Sequence, residues 1–355
     1  MESRRKTLII LSPGFPENEA DTTCLPAQQE LVKSINALYG KLNLIILSFQ
    51  YPFVSNPYSW NGNRIIPFNG RSKGKIYRLR IWIRVWQMLK KLNRECEVTG
   101  ILSFWCTECA FLGKYFGKKY AIKHFIWILG QDARKKNNFV SWIKPAPENL
   151  LAMSPFLAGE FYENHYIKPA HIIPNGVSVS SFPPPNPNKD VDLLGVGSLI
   201  PLKQYDGFIR IVKKLNASLP NISAAICGKG PEENYLRRMI LDSDLQKNIS
   251  LTGERPHDEV LRWMSRSRVL LHPSSYEGFS TVCLEALYAG AHVISFCDPK
   301  AGFIPHWHIV KNEEEMEALA YRIIHDQNTD YSPVLKYTMD GSAKKLMELF
   351  HYHES

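Results

Sequence analysis

The sequence predicts an α/β protein of two Rossmann-like domains, each built on a parallel sheet, with the two sheets facing one another across a cleft. Three observations carry this. Short apolar runs alternate with helix-length segments along the whole chain, the signature of βαβ units. The stretch Ser181-Phe-Pro-Pro-Pro-Asn-Pro-Asn188 interrupts the alternation near the middle, and so many prolines continue neither a helix nor a central strand. The length of 355 residues suits two domains better than one. The expected divisions are a first domain over 1–180, a linker over 181–189, a second domain over 190–330, and a C-terminal helix over 331–355 that crosses back to the first domain.

The elements follow in order. The apolar run Leu8–Leu11 is too short for the core of a signal peptide and stops at Pro13, so it reads as the first strand, over 7–11. Further strands of the first half fall at 44–49, 98–104, 120–129, 150–153 and 171–173, with helices at 25–39, 75–94, 107–116 and 155–165. The second half repeats the scheme, with strands at 192–196, 222–227, 249–252, 269–272 and 292–296 and helices at 205–219, 232–242, 257–266, 281–289 and 313–325. In such sheets ligands bind outside the carboxyl ends of the strands.

Composition narrows the class. Apolar residues make up 45% of the chain and aromatics 12%, enough for ordinary cores, and no apolar run reaches the roughly 18 residues of a membrane span. Together with the cysteines this places the protein in the cytoplasm. There are seven cysteines, an odd and scattered set that reads as reduced thiols, and the single Cys106-Thr-Glu-Cys109 lacks the second pair a zinc site needs. The net charge of +9 is uneven: residues 1–185 hold 24 Lys and Arg against 12 Asp and Glu, whereas 186–355 hold 19 against 22. The basic half is expected to meet something anionic.

Three Gly-rich strand ends stand in the second half: Gly195-Val-Gly197-Ser-Leu-Ile-Pro-Leu-Lys203, Cys227-Gly-Lys-Gly-Pro231 and Thr252-Gly-Glu-Arg-Pro-His257. Glycine lets a backbone approach a ligand closely, and Lys203 is a point charge suited to phosphate. The fourth strand end is Ser274-Ser-Tyr-Glu277-Gly-Phe-Ser-Thr-Val-Cys-Leu-Glu285, where Ser280 or Thr281 can cap the next helix and its first N–H groups offer an anion site. Two carboxylates beside an anion site make sense if they face ligand hydroxyls, since a hydrogen bond to a charged group contributes about 1.5–3 kcal/mol. A sugar nucleotide has that layout: sugar hydroxyls, a diphosphate, then ribose hydroxyls.

At this point the chain resembles the retaining GT-B glycosyltransferases of family four. The resemblance rests on Ile173-Pro-Asn-Gly-Val177, the stretch from Val196 to Lys203, Gly228-Lys-Gly-Pro231, Gly253-Glu-Arg-Pro-His-Asp-Glu-Val260 and the stretch from Pro273 to Ala286, and it covers about residues 170–300. It implies a GT-B fold and transfer of a sugar from a nucleoside diphosphate to a hydroxyl with retained anomeric configuration, without a metal. Glu277 would contact the donor sugar, Glu285 the ribose and Lys203 the diphosphate. Backbone groups of Gly278, Phe279, Ser280, Thr281 and Val282 would complete the site beside Gly197 and Gly228. Many members carry Arg where this chain has Ser198, which leaves more of the charge to Lys203, with Arg255 nearby. In the first half, Ser12-Pro-Gly14-Phe-Pro16 matches the loop after the first strand, so Gly14 joins the donor set. Ile128-Leu-Gly130-Gln-Asp132 matches a His-Gly-x-Asp loop with Leu129 in place of the His, and Asp132 either contacts the acceptor or serves the structure. No cofactor is implied. UDP-sugar is favoured over GDP-sugar as donor, and a glycan or lipid-linked acceptor fits, as in polysaccharide or lipopolysaccharide assembly.

Four further features stand beside this reading. The segment 75–94 is basic and apolar together, with Leu79, Trp82, Ile83, Trp86 and Leu89 in one stripe. It reads either as a core helix with snorkelling basic residues or as a patch on anionic lipid at the inner face of the cell membrane. Asp190-Val-Asp192 opens a strand away from the Gly-rich ends and is expected to bind no metal, and His306 and His308 lack a third ligand. Asn175-Gly176 is a candidate hinge. Other functions compatible with the fold are a sugar-nucleotide epimerase and a degenerate nucleotide- or glycan-binding protein. A nucleic-acid partner would explain the basic half but not the Gly-rich strand ends.

Overall fold

The computed structural model describes residues 4–71, 73–184, 186 and 188–353. Pro185 and Pro187 of the expected linker, and the outermost residues of the expected end segments, lie outside the described residues. The chain forms two units, Met1–Asn175 with Met339–Ser355, and Gly176–Thr338. The division therefore falls at Asn175-Gly176, ahead of the Pro-rich stretch.

In the first unit the elements run β1 (Lys6–Gly14), α1 (Pro26–Leu38), β2 (Asn43–Tyr51), β3 (Tyr58–Trp60), β4 (Asn63–Pro67), α2 (Lys75–Glu95), β5 (Glu97–Phe104), α3 (Glu108–Tyr120), β6 (His124–Ile128), α4 (Asn138–Ile143), β7 (Leu150–Ala152), α5 (Pro155–His165) and β8 (His171–Ile172). They build an eight-stranded sheet in the order β3-β4-β2-β1-β5-β6-β7-β8, parallel throughout except for the antiparallel β3–β4 hairpin. The strands are near-continuous apolar runs because both faces are covered, and Leu8, Ile9, Ile10 and Leu11 are all fully buried. Helix α2 buries Ile81, Val85, Leu89 and Leu92, while Leu79 and Ile83 face solvent. The expected stripe therefore holds in part: Leu89 is core and Trp82 and Trp86 pack against it, whereas Leu79 and Ile83 turn to solvent, because apolar residues on several sides of the helix blur the periodicity.

The second unit runs β9 (Val191–Val196), α6 (Tyr205–Ser218), β10 (Ala224–Cys227), α7 (Glu233–Asp242), β11 (Ile249–Gly253), α8 (His257–Arg266), β12 (Ser267–His272), α9 (Thr281–Tyr288), β13 (His292–Ser295), β14 (Trp307–Ile309) and α10 (Glu313–His325). Its six strands are parallel, in the order β11-β10-β9-β12-β13-β14. Alternate residues of β12 serve opposite cores. Val269 and Leu271 pack under α6, α7 and α10 with Phe208, Leu236 and Met316, while Leu270 packs under α8 and α9 with Met264 and Cys283. Each fully buried side chain of this kind contributes about 1.5–3 kcal/mol.

The chain then returns to the first unit with α11 (Met339–Leu349), shorter than the 331–355 helix expected from the sequence. Pro333 cannot donate within a helix, and the chain before Met339 is irregular. Ser34 Oγ of α1 donates to Asp340 Oδ1 at 2.5 Å. Phe350 packs so closely under Gly100 that a Cβ there would meet its ring at 2.3 Å. Among the described residues no helix is long and apolar enough to cross a membrane.

Candidate functional site in the second unit

The strand order fixes where the site forms. From β9 the chain adds β10 and β11 on one side, then crosses to place β12 on the other, so β9 and β12 flank the switch point of the sheet. The loops leaving their carboxyl ends diverge around a crevice. One loop, 197–204, carries Lys203 on a short 3-10 turn (Pro201–Lys203) that ends at Gln204 with φ 51°. The other, 273–280, carries Glu277. Ser275 N donates to Leu202 O at 3.0 Å and clips them together. The Lys203 ammonium donates to Glu277 Oε1, and both side chains are about one-fifth exposed (18% and 21%). Two of the residues singled out in the sequence are thus brought together, 74 positions apart.

His272, the last residue of β12, lies beneath this pair. It is buried, with Nε2 3.6 Å from Glu277 Oε1, 3.3 Å from Ser280 Oγ and 3.5 Å from Ser274 Oγ. Burial, reinforced by the charge of Lys203, lowers its pKa to about 4, so a neutral imidazole supports the carboxylate. Ser280 occupies the N-cap position of α9, but no side-chain cap bond forms there, because its hydroxyl turns to His272. This replaces the capping role read from the sequence. The ring of Phe279 is stacked on Trp307 (6.1 Å, 17°) and edge-on to Tyr337, so what this stretch can offer a ligand is its backbone. His272, Glu277, Phe279, Ser280, Cys297, Pro299 and Trp307 line a small pocket at this point.

Glu285 lies one turn into α9 and is buried to 9% exposure. Its Oε1 is 2.8 Å from Nε2 of His257, the first residue of α8. Neither histidine was given a role from the sequence. His257 stood inside a quoted motif, and His272 directly precedes Pro273, so their positions were visible and their partners were not.

The Gly-rich ends approach one another more closely than the sequence implied. Gly197 N donates to Cys227 O at 3.0 Å, Gly228 N to Gly253 O at 2.9 Å and Leu199 N to Lys229 O at 3.0 Å, so the ladder continues beyond the strands. A Cβ on Gly228 would lie 1.9 Å from Gly197 O, and one on Gly230 would lie 2.3 Å from Leu199 O. Here glycine is required by loop-on-loop contact. Gly197 itself has φ +145°. Ser198 is exposed, and Arg255 pairs with Glu259 at 3.6 Å beyond β11. The Asp190-Val-Asp192 carboxylates pair with Arg266 and Arg268. Among the described residues no group of three or more His, Cys, Asp or Glu is placed to hold a metal ion.

Gly14 and Asp132 belong to the first unit, at the carboxyl ends of β1 and β6. A Cβ on Gly14 would make only an ordinary 3.6 Å contact with Tyr51. Asp132 is buried, its Oδ2 accepts from Leu129 N at 2.8 Å, and burial raises its pKa to about 7. Asn137 Nδ2 lies 3.5 Å from its other oxygen. The carboxyl is engaged in closing its own loop.

Comparison with known proteins agrees with this architecture. Residues 179–324 match the family described as glycosyl transferases group 1. The phosphatidylinositol N-acetylglucosaminyltransferase gpi3 subunit of Schizosaccharomyces pombe is 32% identical over 141 residues, 39% of this chain and 30% of that protein. The glycogen synthase of Mycobacterium tuberculosis is 25% identical over 49% of this chain and 43% of that enzyme. The matched stretch therefore spans less than half the length of these curated relatives. Among solved structures, sucrose-phosphate synthase from Thermosynechococcus elongatus superposes with a TM-score of 0.70 at 15% identity, over 98% of this chain and 95% of that one. Anabaena HepE in complex with UDP and glucose does so with a TM-score of 0.67 at 14% identity, over 96% and 94%. Likeness at such low identity establishes the fold: the chain has the GT-B fold, and residues 179–324 of its second unit match the glycosyl transferases group 1 family.

Proposed function

We propose that the protein is a retaining glycosyltransferase that moves a sugar from a nucleoside-diphosphate sugar to a hydroxyl of a glycan or lipid-linked acceptor, without a metal. The observation that carries this reading is the meeting of Lys203 and Glu277 across the switch point, at the amino end of α9. A diphosphate drawn to that helix end would share the Lys203 ammonium with Glu277. Glu277 would then accept from a hydroxyl of the donor sugar, and Glu285, held by His257, from the ribose. In the reaction the bond between the anomeric carbon and the diphosphate oxygen breaks, and the acceptor oxygen bonds that carbon on the same face. The acceptor proton passes to the departing phosphate oxygen, whose growing charge Lys203 and the N–H groups of residues 278–282 stabilise.

UDP is the favoured carrier. Anabaena HepE was solved with UDP and glucose, and the pneumococcal O-GlcNAc transferase GtfA with UDP and GlcNAc. In this reading the first unit receives the acceptor, Gly14 belongs to the donor-binding set, and Asp132 shapes its own loop. The enzyme would work in the cytoplasm and at the inner face of the cell membrane, where the exposed Ile76, Leu79 and Ile83 of α2 and its arginines can meet anionic lipid.

The test is turnover of UDP-glucose, UDP-N-acetylglucosamine and GDP-mannose with glycan and lipid acceptors. The expected result is acceptor-dependent release of one nucleotide, an α-linked product, and a drop of about a hundredfold in Glu277→Gln. Rearrangement of a sugar nucleotide without any acceptor, or no turnover of any donor, would overturn the proposal.

A further inference from the structure

A second pocket lies in the first unit, at the amino ends of β6 and β7, opposite the end that carries Asp132. Its volume is about 320 Å³, and its rim is formed by Lys114, Lys118, Lys123 and Lys144. Four ammonium groups around one cavity repel one another, and among the described residues none of them pairs with a carboxylate. The fold holds them there nevertheless. Lys114 is half-buried and donates to the last carbonyls of α4, those of Ile143 and, at 2.9 Å, Lys144. Lys123 Nζ lies 3.4 Å from Leu349 O. Burial lowers the Lys114 pKa, and the neighbouring Lys118 and Lys144 lower it further. The floor is shaped for close packing: a Cβ on Gly117 would lie 2.8 Å from Ile122 O.

Binding to helix carbonyls accounts for Lys114, but it leaves Lys118 and Lys144 on the lining of the same pocket with no carboxylate partner among the described residues. We infer that this pocket binds the phosphate or diphosphate group of a ligand other than the donor. Ammonium groups act as point charges for phosphate, and the volume is at the small end for ligand sites, suited to a phosphate group and little more. The exposed Tyr115 and Trp142 stand beside the rim, with the Tyr115 hydroxyl donating to Trp142 O at 3.2 Å, and they supply an amphipathic border for whatever carries the phosphate. The ligand is either a soluble phosphate ester or a phospholipid headgroup. The inference goes beyond the transferase reading and does not depend on it.

The test uses the full chain carrying Lys203→Ala, which removes the donor-site lysine, with and without Lys118→Ala/Lys144→Ala. Both of the latter lysines are exposed, so the added pair should leave the melting temperature unchanged. The probes are inorganic pyrophosphate by calorimetry, and sedimentation with vesicles of phosphatidylcholine alone or mixed with phosphatidic acid. Pyrophosphate binding that weakens at least about tenfold in the double substitution supports the pocket and a soluble ligand. Binding to phosphatidic acid vesicles that depends on the same lysines, without pyrophosphate binding, supports it with a lipid headgroup as ligand. Binding of both probes that is absent, or unchanged by the double substitution, overturns the inference.

Discussion

Gly228→Ala separates two explanations of the Gly-rich strand ends. If glycine is there only to admit a ligand, the substitution weakens donor binding and leaves stability alone. The structure predicts otherwise. The new Cβ would sit 1.9 Å from Gly197 O and 2.9 Å from Gly197 C, both backbone atoms that no rotamer change can move. The loops must part by more than about 1 Å to reach ordinary contact, which loosens Gly197 N to Cys227 O and Gly228 N to Gly253 O. Two backbone hydrogen bonds at about 1 kcal/mol each, with a strain cost of roughly 1–3 kcal/mol, give a loss of about 3–5 kcal/mol. For a unit of this size that lowers the melting temperature by roughly 6–20 °C. Because Ser198 and Lys203 ride on the displaced loop, nucleotide binding should fall as well. The assays are thermal unfolding and hydrogen exchange of residues 197–204 and 228–231. A melting temperature within about 1 °C of the parent, with unchanged exchange there, would refute the loop-on-loop account.

Two further predictions concern the histidines. His257→Ala removes the group that holds Glu285 Oε1, and the freed carboxylate should cost about 1 kcal/mol, roughly fivefold in the Kd for UDP by calorimetry; an unchanged Kd would deny His257 a positioning role. His272 has a folded pKa of about 4, below its ordinary value of roughly 6.5, so the unfolded chain binds the extra proton between these pH values and stability falls as pH drops through that window. The stability of the parent should therefore decline more than that of His272→Gln by on the order of 3 kcal/mol from pH ~7 to pH ~4, and parallel pH profiles of the two would contradict a buried neutral His272.

Much of this was legible before any coordinates. Helix α5 was placed at both ends and β1 at its start, because a Ser154-Pro155 helix start and the apolar run from Leu8 to Leu11 are local signals; β1 nevertheless continues through Pro13 to Gly14, three residues beyond the expected strand. The Gly-rich ends, Lys203 and Glu277 were legible because each follows the end of a parallel strand, and Glu285 because it falls one turn into the helix after β12. What escaped depends on tertiary contact or on a weak signal passed over. The β3–β4 hairpin carries Asn61-Gly62 at its turn, with φ 43° and 76°, a pairing typical of two-residue hairpins that the reading did not use. Helix α3 runs to Tyr120, and its Gly113 and Gly117 are needed where His124 and Ile122 press against them, contacts no local pattern shows. His272 and His257 acquire meaning only when β12, α8 and α9 come together. The four lysines of the first-unit pocket read in sequence as a diffuse basic surface, and only the fold gathers them around one cavity.

The measurement closest to the central claim is thermal stabilisation by UDP, GDP and ADP, with and without magnesium, on the parent chain and on Glu285→Ala. At a ligand level of about a hundred times its Kd, a bound nucleotide adds roughly 2.7 kcal/mol to the stability of the state that binds it. The account predicts that UDP stabilises the parent without magnesium, that GDP and ADP do so less, and that Glu285→Ala loses the effect. No stabilisation by any of the three, or equal stabilisation of parent and variant, would contradict a nucleotide-sugar site at the switch point of the second unit.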